Sequence, residues 1–135
     1  MVATTKEIFP WRAAYSVGIP EIDKQHQGLI RLINNLQEAM MAGNGKAALG
    51  AILDELIRYT QSHFSYEEAM LQKRGYAGLA AHQQAHRELT RQVIELRQQQ
   101  KAGKLAVSME VMQFLKNWLS NHILDRDQAY ARELR

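Results

Sequence analysis

From Glu21 onwards, apolar residues recur along the chain at intervals of three and four positions. This spacing places side chains on one face of an α-helix, and it predicts four helical segments. The first begins near Pro20 and Glu21, because proline and acidic residues are both favoured in the first turn of a helix. Its inward face is predicted to carry His26, Leu29, Ile30, Ile33, Leu36 and Met40.

Glycines mark the ends of the other segments. Gly43-Asn44-Gly45 breaks the chain, and a second helix is predicted from about Lys46 to Lys73, before Gly75. Its predicted inward residues are Leu49, Ile52, Leu56, Tyr59, His63, Glu67 and Met70.

A third helix is predicted from about Gly78 to Lys101, and Ser108 is the predicted N-cap of the fourth. The inward residues are predicted to be Leu79, His82, His86, Leu89, Val93 and Leu96 in the third helix, and Val111, Leu115, Trp118, Leu119, His122 and Ile123 in the fourth.

Short links between helices favour antiparallel neighbours. The 135 residues therefore predict one all-α domain, an antiparallel up-down-up-down four-helix bundle over residues 20–135. Both prolines lie in the first twenty residues, which agrees with helix throughout the remainder. Residues 1–19 are predicted to form an irregular N-terminal arm that packs through Phe9, Trp11, Tyr15 and Val17.

Composition excludes several classes of function. The net charge of +3 is small and the basic residues are scattered, so the sequence argues against a nucleic-acid partner. The apolar runs are too short to cross a membrane, and the first residues do not resemble a signal peptide, so we expect a cytoplasmic protein. The absence of cysteine excludes disulfides, iron–sulfur clusters and thiol catalysis.

All five histidines of the chain fall on predicted inward faces. A single inward histidine is more often a hydrogen-bonded core residue than a metal ligand. Five buried imidazoles would need five separate partners, whereas one metal centre satisfies them together. The set therefore favours a metal site inside the bundle.

Two local spacings support this interpretation. His63 and Glu67 are four residues apart, as are His82 and His86, so each pair is offset by only about 40° around an α-helix. Each pair alone is a weak signal. The helical zinc-protease pattern needs Glu directly after the first histidine, and Gln83 stands there instead.

Imidazoles with carboxylates and no thiolate suit iron, zinc, copper or manganese better than calcium or magnesium. Five histidines exceed what one structural zinc ion uses, which favours two ions bridged by carboxylates. Ferritin-like di-iron bundles use Glu-x-x-His motifs, and no glutamate in this chain is followed three residues later by histidine.

An ordered set of four motifs resembles the hemerythrin family, especially its bacterial single-domain members. The motifs are Ile22-Asp23-Lys24-Gln25-His26, His63-x3-Glu67, His82-x3-His86 and His122-x4-Asp127. Each is unspecific alone, but the ordered set is specific and covers the chain from Trp11 to about Tyr130. The resemblance implies one hemerythrin-like domain over residues 1–135, with the up-down bundle of which myohemerythrin is an example.

The same resemblance implies the ligands of two iron ions. His82, His86 and His122 would bind one iron, and His26 and His63 the other. Glu67 and Asp127 would bridge the two ions together with an oxo or hydroxo group. The iron held by two histidines would keep an open position for dioxygen.

Each of the two proposed bridging carboxylates has an alternative nearby in the sequence. Glu68 lies beside Glu67, but Glu67 shares a helical face with His63. Asp127 lies five residues after His122, about 140° around a regular α-helix, so spacing alone would prefer Asp125. Choosing Asp127, as the family does, requires the helix to widen or break near its end.

The resemblance also suggests an apolar oxygen pocket, formed by Leu29, Phe64, Trp118, Leu119 and Ile123. Ordinary core packing is the alternative for these residues. Tyr130 is expected to hydrogen-bond the bridging carboxylate or to be a half-buried tyrosine at a helix end.

The implied function is reversible dioxygen binding for storage, transport or delivery, by a monomer that is not an enzyme and passes oxygen to an oxygen-consuming protein. The alternatives are an oxygen-sensing or redox-sensing input domain, a di-iron peroxidase or oxidase, and iron or nitric oxide handling. The chain ends soon after Tyr130, which favours a freestanding carrier. The sequence places no additional acid–base residue near the predicted pocket, which argues against an enzyme.

Overall fold

The structure, a computed structural model, describes residues 7–104 and 109–134 of the chain. Four helices form the bundle: α1 (Pro20–Met41), α2 (Gly45–Lys73), α3 (Leu79–Lys101) and α4 (Met109–His122). A π-helical turn, Ile123–Asp127, continues α4 into a short final helix, α5 (Gln128–Glu133). The predicted all-α four-helix bundle is confirmed, while Ser108, the predicted N-cap, lies outside the described residues.

The links between helices are short, as expected for antiparallel neighbours. Gly43 and Gly75 take positive φ values of 81° and 69° in the links after α1 and α2, a conformation that side chains with a Cβ rarely adopt. α2 packs against both α1 and α3, and α4 packs against α1. The predicted bounds of the second and third helices agree with the structure to within one residue, and the first helix begins at Pro20 and ends before the predicted break at Gly43.

The described part of the N-terminal arm, residues 7–19, is tied to α1 by polar contacts. Asn34 accepts a hydrogen bond from the backbone N–H of Phe9 (3.0 Å) and donates one to the carbonyl of Phe9 (2.9 Å). Asp23 accepts hydrogen bonds from the Ser16 hydroxyl (2.6 Å) and the Val17 backbone N–H (2.9 Å). These contacts hold the start of α1, and with it His26, at a fixed place in the bundle.

The buried face of α2 differs from the inward face predicted from the sequence. Of the residues predicted to face inward, Ile52, Tyr59 and Met70 are only half-buried, whereas the others are buried. The buried face also includes Leu53, Thr60, Phe64 and Leu71. A helix that packs between two neighbours buries a wider face than a single stripe, so the prediction for α2 was partly wrong.

Smaller differences of the same kind occur elsewhere. Met40 of α1 and the three leucines of the predicted α3 stripe, Leu79, Leu89 and Leu96, are half-buried. Within the described ranges, no helix is both long enough and apolar enough to cross a membrane.

Candidate metal centre

Seven ionisable side chains meet in the interior of the bundle, and every helix of the four contributes. α1 supplies His26, α2 supplies His63 and Glu67, and α3 supplies His82 and His86; His122 ends α4 and Asp127 ends the π-helical turn. All seven are buried, and both carboxylates are 0% exposed. Together they are called the polar cluster below.

Glu67 lies between two groups of histidines. Its Oε1 is 2.7 Å from Nε2 of His82 and 2.9 Å from Nε2 of His86. Its Oε2 points the other way, 3.6 Å from Nε2 of His63 and 3.8 Å from Nε2 of His26. One carboxylate therefore faces both groups at once.

Asp127 has a similar position. Its Oδ1 is 3.1 Å from Nε2 of His82 and 3.2 Å from Nε2 of His122. Its Oδ2 is 3.1 Å from Nε2 of His26. The polar cluster thus has two carboxylates between a group of three histidines and a group of two.

The π-helical turn explains how His122 and Asp127 converge. The backbone N–H of Gln128 reaches back five residues to the carbonyl of Ile123, which widens the helix locally. Residues five apart then lie almost above one another, instead of about 140° apart as in a regular α-helix. The structure brings Asp127 into the polar cluster and leaves Asp125 exposed.

Several buried atoms of the polar cluster have no hydrogen-bond partner in the described part of the chain. They include both ring nitrogens of His26, Nε2 of His86, Nε2 of His122 and both oxygens of Asp127. Buried polar atoms without partners are costly and rare in folded proteins. A cation among them would satisfy the lone pairs at once, so the residues present fit a metal centre.

The geometry defines two groups of donor atoms in which all atoms lie within 4.8 Å of one another. One consists of Glu67, His82, His86, His122 and Asp127, and the other of His26, His63 and Glu67. Glu67 belongs to both groups. This nitrogen and oxygen donor set, without thiolate, suits iron and its neighbours in the first transition series.

Electrostatics within the polar cluster favour ionised carboxylates. Burial and the nearby Asp127 would raise the pKa of Glu67, but interactions with His82 and His86 lower it to about 2. Burial would likewise raise the pKa of Asp127, yet His122, His26 and His82 hold it well below its usual range. Burial lowers the pKa of His63 to about 4, which keeps that imidazole neutral. Both carboxylates and His63 therefore have the protonation states that bind cations. Burial would lower the pKa of His82, but hydrogen bonds to Asp127 and Glu67 raise it to about 9, so a metal ion would displace a proton from that ring.

A second layer of polar contacts surrounds the polar cluster. Tyr130 is buried and donates a hydrogen bond from its hydroxyl to Oε2 of Glu67 at 2.9 Å. Nδ1 of His63 lies 2.6 Å from Oε1 of Gln25, and Nδ1 of His86 lies 2.7 Å from Oε2 of Glu68. The sequence pointed to Tyr130, but it gave no role to Gln25 and treated Glu68 only as a competitor of Glu67.

The five residues predicted to form an oxygen pocket are all buried, in two surroundings. Leu29, Trp118, Leu119 and Ile123 belong to the main hydrophobic core, and the indole N–H of Trp118 donates to the carbonyl of Leu89 at 3.0 Å. Phe64 stacks on the ring of His86, with centroids 3.6 Å apart and ring planes 4° from parallel. Phe64 thus contacts the polar cluster directly, while the other four side chains lie in the core of the bundle.

Comparison with known proteins gives consistent results. The family model described as the hemerythrin HHE cation binding domain matches residues 17–134. A bacteriohemerythrin of Stenotrophomonas maltophilia (strain R551-3) is 38% identical over 125 residues, which cover 93% of this chain and 80% of the relative. A bacteriohemerythrin of Methylococcus capsulatus (strain ATCC 33009 / NCIMB 11132 / Bath) is 34% identical over 92% of this chain and 95% of its own length.

Solved structures agree with the sequence relatives. A crystal structure described as wild-type hemerythrin superposes with a TM-score of 0.83 at 33% identity and covers 93% of this chain and 96% of that one. The family match spans the four helices and all seven members of the polar cluster. The chain therefore belongs to the hemerythrin HHE cation binding domain family.

Proposed function

We propose that this protein binds dioxygen reversibly at a centre of two iron ions inside the bundle, for oxygen storage, transport or delivery. His82, His86 and His122 would hold one iron, and His26 and His63 the other. Glu67 and Asp127 would bridge the pair. The observation that carries this proposal is that Glu67 belongs to both groups of donor atoms, with one oxygen towards each group.

The two groups are unequal, and this inequality supports oxygen binding. With both carboxylates shared, the three-histidine site has five ligands from the protein and the two-histidine site has four. The second site therefore has more room for an external molecule. When bound, the iron pair supplies two electrons and an open coordination position for dioxygen.

The chain's own side chains favour binding over turnover. Leu29, Leu119 and Ile123 are at most 2% exposed and belong to the main hydrophobic core, so an oxygen pocket that they line would be closed to water. Burial and the nearby carboxylates raise the pKa of Tyr130, whose hydroxyl keeps its proton and donates to Glu67. A pocket closed to water, with the nearby hydroxyl proton held on Tyr130, would slow the release of reduced oxygen as a product and let bound oxygen leave unchanged.

We further propose that a single chain suffices for this function. All seven members of the polar cluster come from one chain, so no second copy is needed to complete the centre. Light scattering on the iron-loaded protein should give the mass of a monomer.

The test is optical. The reduced, iron-loaded protein should develop a visible charge-transfer band on exposure to oxygen, lose it on deoxygenation, and contain two iron ions per chain. One zinc ion per chain and no such band would contradict the proposal. Continuous oxygen consumption in the presence of a reductant would instead indicate an oxidase.

A further inference from the structure

Glu67 and Glu68 are adjacent on α2, but only Glu67 enters the polar cluster. The side chain of Glu68 is 26% exposed and lies at the outer edge of the His86 ring, with its Oε2 2.7 Å from Nδ1. The opposite ring nitrogen, Nε2, faces the polar cluster, 2.9 Å from Oε1 of Glu67. The imidazole of His86 thus lies between two carboxylates.

This contact assigns the donor role to Nδ1 of His86. An ionised carboxylate can only accept hydrogen bonds, so Nδ1 must donate to Glu68. Nε2 faces the polar cluster, and its lone pair would bind a metal ion that takes the place of a proton there. A hydrogen bond to a charged acceptor is also stronger than one to a neutral acceptor.

Phe64 holds the same ring from a second direction. Its ring lies parallel to that of His86, at a centroid distance of 3.6 Å and an angle of 4°. The stacked face and the hydrogen-bonded edge together limit rotation of the imidazole. Both contacts are made by α2 residues, so α2 sets the orientation of a ligand candidate on α3.

The two-histidine group is supported differently. Nδ1 of His63 faces Oε1 of Gln25 at 2.6 Å, and this acceptor is a neutral amide. Nδ1 of His26 has no hydrogen-bond partner in the described ranges. Among the described residues, His86 is the one histidine whose Nδ1 is paired with a carboxylate. The two halves of the centre therefore differ in the acceptor that faces an outer ring nitrogen as well as in ligand number.

We propose that Glu68 is a positioning residue that makes His86 the stronger ligand, so that the three-histidine site retains its metal ion more firmly than the two-histidine site. The inference rests on the metal centre of the proposed function. A carboxylate on the outer nitrogen increases the electron donation of an imidazole and holds it in the binding orientation. Gln25 performs the orienting part of this role for His63 without the charge.

Three variants of the full-length, iron-loaded protein test the inference. Glu68→Gln removes the charge and retains an acceptor oxygen of the same size. Gln25→Glu places a charge on the other site. Glu55→Gln is the matched control, because Glu55 is an exposed carboxylate of α2 that is not part of the polar cluster. Two quantities are measured: the rate at which each iron ion is lost to a chelator, and the reduction potential of the iron pair.

Glu68→Gln should speed the loss of one iron ion per chain by about tenfold or more, with the other lost at its wild-type rate. It should also raise the reduction potential, since a negative charge near the iron favours the ferric state, and Gln25→Glu should lower it. If Glu68 and Gln25 only stabilised the fold, the two variants would not shift the reduction potential in opposite directions. Glu55→Gln should behave as the wild type.

Release rates and potentials of Glu68→Gln equal to those of Glu55→Gln would overturn the role of Glu68 while leaving the proposed function intact. Far-ultraviolet circular dichroism checks that each variant is folded. A wild-type protein that holds fewer than two iron ions would instead overturn the proposed function, and this inference with it.

Discussion

The hydroxyl of Tyr130 contacts the polar cluster at the centre of the bundle. The tyrosine is fully buried, and its hydroxyl donates to Oε2 of Glu67, the carboxylate that lies between the two groups of histidines. Glu67 is also fully buried, so a lost partner cannot be replaced by solvent without rearrangement. At the scale of single residues, the polar cluster depends on such contacts beyond its own seven members.

Tyr130→Phe should therefore lower the free energy of unfolding of the metal-free protein. The expected loss is about 1.5–3 kcal/mol, the usual contribution of a buried hydrogen bond to a charged group. Urea denaturation measures it. Tyr66→Phe, the same change at a residue 46% exposed on α2, is the matched control and should have little effect. Equal stabilities for the two variants would show that the hydroxyl of Tyr130 does not stabilise Glu67.

The π-helical turn determines which side chains near the end of α4 face the interior of the bundle. Five residues, Ile123–Asp127, widen the helix so that Asp127 faces inward with His122 while Asp125 faces solvent. A regular α-helix would have turned Asp127 away from His122. π-helical turns are uncommon and often occur at functional sites. The choice between the two aspartates is therefore a property of the helix and not of either residue.

Asp127→Asn should lower the affinity for iron at least about tenfold, whereas Asp125→Asn should leave it near the wild-type value. Both variants remove one negative charge from the same stretch of chain, so a difference between them reports position and not net charge. Iron bound per chain after dialysis against a weak chelator is the measurement. Equal losses would contradict the assignment of Asp127.

α1 and α2 approach each other closely where Gly28 lies against the side chain of Tyr59. A Cβ added at Gly28 would overlap the hydroxyl oxygen of Tyr59 and lie 2.6 Å from its Cζ. The aromatic ring must move to make room, and such overpacking costs about 1–3 kcal/mol. Alanine in place of glycine would otherwise stabilise a helix interior by about 1 kcal/mol.

Gly28→Ala should therefore destabilise the protein, and the same change made together with Tyr59→Ala should instead stabilise it relative to Tyr59→Ala alone. Urea denaturation of the four proteins in this cycle gives the sign of each step. If Gly28→Ala is stabilising in the presence of Tyr59, the close contact does not limit the approach of the two helices.

In the described part of the chain, the bundle encloses five histidines and two carboxylates where a bundle core is normally apolar. Their burial is costly as long as lone pairs of His26, His86, His122 and Asp127 have no partners. A bound cation recovers part of this cost. Metal binding and folding stability should therefore be linked across the whole bundle.

Removal of iron should lower the melting temperature of the protein, and added iron should restore it. A ligand that binds only the folded state contributes about 2.7 kcal/mol at a free concentration of 100 times its Kd. Differential scanning calorimetry with and without a chelator measures the shift. Asp127→Asn should show a smaller response to iron than the wild type. Identical melting temperatures with and without iron would contradict the linkage.

The sequence predicted the helices accurately because their signals are local. Proline at the start of α1 and glycines in the links define where helices begin and end, whatever the rest of the chain does. His63 with Glu67, and His82 with His86, share a face because a spacing of four fixes their relative direction within one helix. These features needed no knowledge of how the helices pack.

The tertiary structure decided what depends on neighbours. It shows how a π-helical turn brings Asp127 inward, which the resemblance implied but regular helical spacing opposed. It alone shows the wider buried face of α2 and the partners Gln25 and Glu68 on the outer nitrogens of two histidines. Sequence spacing assumes a regular helix and cannot state which side chains of different helices meet. Those contacts arise only when four helices pack together, because their polar side chains must then find partners within the interior.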